Sequence, residues 1–110
     1  MAGSGSVLHR IPVVAGVAYI ERIRRLPSTF TATLVAEPDN RYFRHAIAVV
    51  ASGQKVGYVA PEVARRYYGG VKSAASSIEC PARQATASDH ETSGVELLLD
   101  FSNLPISPAE

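Results

Sequence analysis

The chain has 110 residues, a formal net charge of +1 and one cysteine, Cys80; this fits one globular domain around a single core and excludes an internal disulfide or a cysteine-based zinc cluster. At 46% hydrophobic and 19% charged residues it is neither a disordered nor a collagen-like polymer. The longest apolar run, Ile11 to Ile20, is too short to cross a bilayer, and it leads into Glu21, Arg22, Arg24 and Arg25 instead of a small-residue cleavage site; a cytoplasmic protein without a membrane partner is expected.

In chain order, residues 1–6 are a Gly/Ser leader with nothing to bury, read as flexible. Ile11 to Val17 reads as a buried first strand, with Pro12 near its start and Gly16 marking a bend. From Ala18 to Leu26 the period changes. Tyr19, Ile23 and Leu26 fall on one helical stripe, Glu21 and Arg25 can pair at i, i+4, and Pro27 ends the helix. That short helix presents Arg22, Arg24 and Arg25 outward.

Thr29 to Ala36 alternates with period two, placing Phe30, Ala32, Leu34 and Ala36 on one face of a strand. Glu37 to Arg44 is a polar turn carrying two adjacent rings and two arginines. Ala46 to Ala51 is a nearly all-apolar strand, Ser52-Gly53 a tight hairpin, and Gln54 to Ala60 the returning strand, with Gly57 at a bulge or close backbone approach. Pro61-Glu62 opens a second helix, in which Val63 and Tyr67 share the inward face, Glu62 and Arg66 can pair, and Gly69-Gly70 is the stop. Strands over Ser77–Thr86 and Val95–Phe101 flank a polar loop, Ala87 to Gly94. The expected architecture is mostly β: a small antiparallel β-barrel of five to six strands with two short helices. The expected domain spans residues 7–102, followed by a tail over 103–110.

Catalytic constellations are missing from this pattern. No Gly-rich phosphate loop and no Gly-x-Ser-x-Gly elbow occurs, and Glu37 and Asp39 sit in a turn, where carboxylates bond backbone. His9, His45 and His90 lack metal-site spacing, so neither a metal nor a cofactor is expected. Binding is better supplied. Up to Lys72 there are ten basic residues against four acidic ones, and beyond it one against six, which predicts a basic and an acidic side. Tyr19, Tyr42, Phe43, Tyr58, Tyr67 and Tyr68 are interleaved with these cations, in the manner of a surface that stacks bases and holds phosphates. Tyr67, on the inward helix face, is read as core, and His45 as a structural histidine.

These residues resemble the HIRAN domain family. The likeness runs from Val13-Val14-Ala15-Gly16 and Tyr19, through Glu37-Pro38-Asp39-Asn40-x-Tyr42 and Ala46-Ile47-x-Val49, to Val56-Gly57-Tyr58-Val59 and the helix holding Ala64. It implies a small OB-like barrel, found at the front of fork-remodelling helicase-like proteins and alone in short bacterial chains; in the well-understood eukaryotic members the domain binds single-stranded DNA and captures its free 3′ end. Tyr19 matches a base-stacking tyrosine, Tyr42 the tyrosine of an Asn-Pro-Tyr-Asp turn, and Tyr58 a position where a histidine contacts DNA. Departures from the pattern are Ala18 for an arginine, Arg41 for the turn proline, Phe43 for the aspartate that meets the terminal hydroxyl, and His45 for an asparagine. A phenyl ring accepts no hydrogen bond from a hydroxyl, so stacking and phosphate contact carry over more directly than end capture.

The expected function is a non-catalytic module binding single-stranded DNA, its ends included, in repair or replication. Its expected site is Tyr19, Asn40, Arg41, Tyr42, Phe43, Arg44, Lys55 and Tyr58. The alternative is a protein-interaction adaptor with weak or no DNA binding and Phe43 as its exposed anchor.

Overall fold

The computed structural model describes residues 8, 10–15, 17–86 and 96–109. In chain order the elements are β1 (Ile11–Val14), α1 (Val17–Arg24), β2 (Thr29–Glu37), β3 (Ala46–Ala51), β4 (Gln54–Val59), α2 (Pro61–Ser73), β5 (Ile78–Gln84) and β6 (Leu97–Leu99). The strands close into an antiparallel barrel in the order β1-β4-β3-β2-β5-β6. The expected mostly-β barrel with two helices is what forms. The leader, Gly16 and the loop from Ala87 to Gly94 lie outside the described residues.

β2 shows how the alternating pattern becomes a barrel wall. Ala32 and Leu34 are buried in the interior, while Thr31 and Val35 on the other face are exposed. Having β3 on one side and β5 on the other, β2 is a central stave. The β3–β4 hairpin turns through Ser52 and Gly53, with φ of 51° and 77°. Two successive positive φ values are the primed-turn geometry that matches strand twist. The register then shifts between Val49 and Val50, which pair with Gly57 and Lys55. This bulge falls at the expected glycine.

Gly57 has φ of 155°, and a Cβ there would stand 2.6 Å from Val13 Cγ1 and 2.8 Å from the Val14 carbonyl oxygen. Only a glycine lets β1 come this close to β4. β1 then closes the barrel with four residues: Ile11 and Pro12 pair with β6, Val13 and Val14 with β4. Closure leaves no open sheet edge.

Three local expectations need correction. β1 ends at Val14, not Val17, and α1 starts at Val17; Leu26 lies past the helix but still packs on the core. Glu21 pairs with Arg24 instead of Arg25, at 3.3 Å, and no Glu62–Arg66 ion pair forms among the described residues. Both helical pairs are surface contacts with little energy to impose a geometry. Most informative is α2, which passes through Gly69 and Gly70 and ends at Ser73. Val71, beyond the glycines, packs into the core, and that burial outweighs the glycines' weak helix propensity. Gly70 has a different use: a Cβ there would lie 3.0 Å from Ile106. Leu104 and Ile106 pack against the core, and the Ala109 N–H donates to the Arg66 carbonyl at 2.6 Å, so residues 104–109 run along α2.

The interior is filled by Ile11, Val13, Leu34, Ile47, Val49, Val56, Val59, Leu97 and Leu99, with Ile23 of α1 and Ala64, Tyr67 and Val71 of α2 packed into the same cluster. Tyr67 is core, as expected, and meets Phe101 edge-on at 5.0 Å. Among the described residues no helix is long and apolar enough to cross a membrane.

Candidate nucleic-acid interface

The loop between β2 and β3 is built around Asn40. Its Oδ1 accepts the backbone N–H groups of Tyr42 and Phe43, each at 2.8 Å, and its Nδ2 donates to Glu37 Oε1 at 3.1 Å. The Asn40 N–H donates to the Glu37 carbonyl at 3.2 Å, closing the turn. A short amide side chain that holds the next two N–H groups is how an Asx-type turn is fixed. The sequence therefore specifies the loop's conformation locally.

A polar cluster anchors the same loop to the barrel wall. Lys55 Nζ lies 2.5 Å from Glu37 Oε2 and donates to the Tyr58 hydroxyl at 2.9 Å, and that hydroxyl donates to Glu37 Oε1 at 2.8 Å. Tyr58 is on β4 and Glu37 on β2, with β3 between them. The phenol must therefore reach across β3, where Ala48 is directly opposite Tyr58 and Ala46 opposite Glu37. Both alanines are buried. Their small side chains leave the space through which the bridge passes.

The electrostatics follow from this geometry. Burial pushes the Glu37 carboxyl up, but hydrogen bonds from Lys55, Tyr58 and Asn40 outweigh it and leave the group below the ordinary carboxylate range. The hydrogen bond to Glu37, and then that to Tyr58, holds the Lys55 ammonium above its usual range. Burial, and next the acceptor Glu37, raises the Tyr58 phenol despite the bond from Lys55. The cluster is thus a carboxylate, an ammonium and a neutral phenol at neutral pH. The positive charge of Lys55 is matched within the protein, which leaves Arg41 and Arg44 as the exposed cations of the loop.

Phe43 lies half-buried against Tyr58, ring centroids 5.5 Å apart and tilted by 47°. It is not the exposed anchor on which the adaptor reading leans. Its neighbour Tyr42 points the other way and is 88% exposed, on backbone that Asn40 holds. Tyr19 comes to the same wall through α1: Arg22 lies 5.6 Å over the Tyr19 ring and donates to the Lys55 carbonyl at 2.7 Å. Arg22 is exposed with Arg24 and Arg25, as expected, and it also ties α1 to β4. Asn40, Phe43, Lys55 and Tyr58 thus form one connected cluster, Tyr19 joins it through Arg22, and Tyr42, Arg41 and Arg44 are exposed on the loop. Glu37 is the member that residue patterns undervalued. Its signal was present, since it begins the Glu-Pro-Asp-Asn turn.

His45 ends the loop with φ of 59° and meets the Tyr68 ring edge-on at 5.2 Å. A left-handed position is readily taken by Asn or His, which accounts for the histidine where the family resemblance has an asparagine. Among the described residues no group of three His, Cys, Asp or Glu side chains could hold a metal.

The molecule is thus a closed six-strand barrel with an aromatic, arginine-bearing loop anchored to its outer wall. Residues 12–97 match the family model of the HIRAN domain, and the chain belongs to that family, which is generally associated with DNA binding. No catalytic domain is detected. No curated protein and no solved structure matches the chain.

Proposed function

We propose that this HIRAN domain binds single-stranded DNA on the β2–β3 loop, stacking a base on Tyr42 and contacting phosphates through Arg41 and Arg44. The observation that carries the reading is Tyr42, a ring 88% exposed on a turn whose backbone is already held by Asn40. Such a ring binds with little ordering cost, and stacking one base contributes roughly 1–3 kcal/mol. Tyr58 and Tyr19 extend the surface, while Lys55 and Glu37 fix the base of the loop. Phe43 provides no acceptor for a terminal hydroxyl, and the Asn40 oxygen already holds two N–H groups. Binding should accordingly be indifferent to a free 3′ end.

Fluorescence anisotropy with labelled oligonucleotides at low salt tests this. Expected are binding that weakens steeply with salt, equal affinity for free and blocked 3′ ends, and loss of most affinity in Tyr42→Ala combined with Arg44→Ala. The double variant should melt like the parent, because both side chains are exposed. No binding at high micromolar protein, or an unchanged affinity in the double variant, overturns the proposal.

A further inference from the structure

Beside His45, at the end of the loop, α2 exposes Arg65 and Arg66. Both border an open hollow of about 480 Å³ whose other walls are His45 and Ala109. The ring of His45 is held there by its left-handed backbone and by its edge contact with Tyr68. Ala109 is fixed at the rim by its bond to the Arg66 carbonyl and contributes no charged side chain. Glu62 is one helical turn earlier, yet neither arginine has a carboxylate partner among the described residues.

Exposed helical arginines are commonly solvated and idle. Here two guanidinium groups and an imidazole, from the loop and from α2, converge on one concavity with no acid opposite them among the described residues. That arrangement concentrates positive potential and offers N–H donors in the forked geometry that suits phosphate oxygens. His45 is three residues from Tyr42, so their backbones are at most ~11 Å apart.

We propose that the His45, Arg65 and Arg66 hollow is a second phosphate-binding site, which takes the backbone of a nucleic-acid strand one or a few nucleotides beyond the base stacked on Tyr42. The direction of the strand rests on the DNA-binding reading above; the phosphate site itself does not. The loop and α2 together then form a track: a ring at the loop tip, arginines on its flank and a cationic hollow where the loop meets the helix. A strand of two or three nucleotides engages the loop alone, and a longer one engages both.

The test has two arms on the full chain. In the first, inorganic phosphate is titrated while the backbone amide signals are followed by NMR. The signals of His45, Arg65 and Arg66 should shift saturably, and Arg65→Ala combined with Arg66→Ala should abolish the shift. In the second, anisotropy is measured with oligothymidylates of about three and about twelve nucleotides. The double variant should bind the longer strand about tenfold more weakly than the parent, with a salt slope shallower by about 1.4, as loss of two phosphate contacts on a single strand predicts. Binding of the short strand should be unchanged, and Arg65→Lys with Arg66→Lys should recover most of the loss. If the parent binds the longer strand and the alanine variant matches it in affinity and slope, the track is wrong while the loop reading stands. If phosphate shifts the three signals but no strand binds the parent, the hollow is an anion site and the DNA-binding reading fails. Unmoved signals with phosphate overturn the site itself.

Discussion

Gly57 and Cys80 set two separate limits on what a single residue can tolerate. A methyl group at Gly57 would meet Val13 and the Val14 carbonyl, at a φ that L-residues rarely adopt. Relief would have to come from β1, whose four residues close the barrel. Gly57→Ala should therefore cost roughly 1–3 kcal/mol or more, seen as a melting temperature several degrees lower; an unchanged melting temperature would refute the tight approach. At Cys80, burial, and next the nearby Asp100, pushes the thiol up to about 12. Because the thiolate is the reactive form, an alkylating reagent at pH 8 should modify the native chain only slowly and the denatured chain at once. Rapid labelling of the native protein would contradict this placement. Both residues were visible in the sequence, but to different degrees. A glycine interrupting a strand signals a close approach, whereas a lone cysteine carries no mark of its depth.

At the scale of elements, the two helices differ in how they are held. α1 is short, with eight residues, and its end is finished from elsewhere: Gln84 Nε2, at the close of β5, donates to the Ile23 and Leu26 carbonyls at 3.0 and 2.7 Å. The Ile23 carbonyl is one of the last four of the helix and also accepts the Leu26 N–H at 3.0 Å, while the Leu26 carbonyl lies just past the helix end. Gln84→Ala should cost about 1 kcal/mol and raise amide exchange selectively in α1, with the barrel strands unaffected; uniform protection in the variant would contradict the cap. α2 has Pro61 at its start and no side-chain cap, and its stability comes from the face bearing Ala64, Tyr67 and Val71. The Gly69-Gly70 pair reads as a stop by composition alone. It is overruled because Val71 lies on the buried face and Ile106 fits against Gly70.

For the molecule as a whole, the Glu37–Lys55–Tyr58 cluster couples loop order to pH. Glu37 is lowered in the folded chain, so its contribution is full above the ordinary carboxylate value of about 4.3 and is lost as pH falls through the folded value. Lys55 is raised, so its contribution is full below about 10.4 and is lost as pH rises through the folded value. Between these limits the loop stays anchored. Denaturant unfolding of the parent and Glu37→Gln, compared from pH 3 to 8, should show a stability gap at neutral pH that closes in acid. A gap independent of pH would mean that the ion pair does not hold the loop. The same cluster leaves the outer wall with Arg41, Arg44, Arg65 and Arg66 as cations without carboxylate partners among the described residues.

Short stretches of sequence determined the strands, the Ser52-Gly53 hairpin, the bulge at Gly57 and the Asn40 turn, because periodicity and turn chemistry act over a few neighbouring residues. They also carried the family likeness and the candidate loop. Only the tertiary structure decided which charges are free. Tyr58 meets Glu37 across 21 residues, Arg22 meets the Lys55 carbonyl across 33, and Gln84 meets Ile23 across 61. Those meetings depend on strand order and register, which fix side-chain direction only once the barrel has closed. Lys55 reads as a phosphate contact until β2 brings Glu37 to it, and Arg66 reads as a partner of Glu62 until that pair stays unmade and the loop sets His45 beside Arg65 and Arg66.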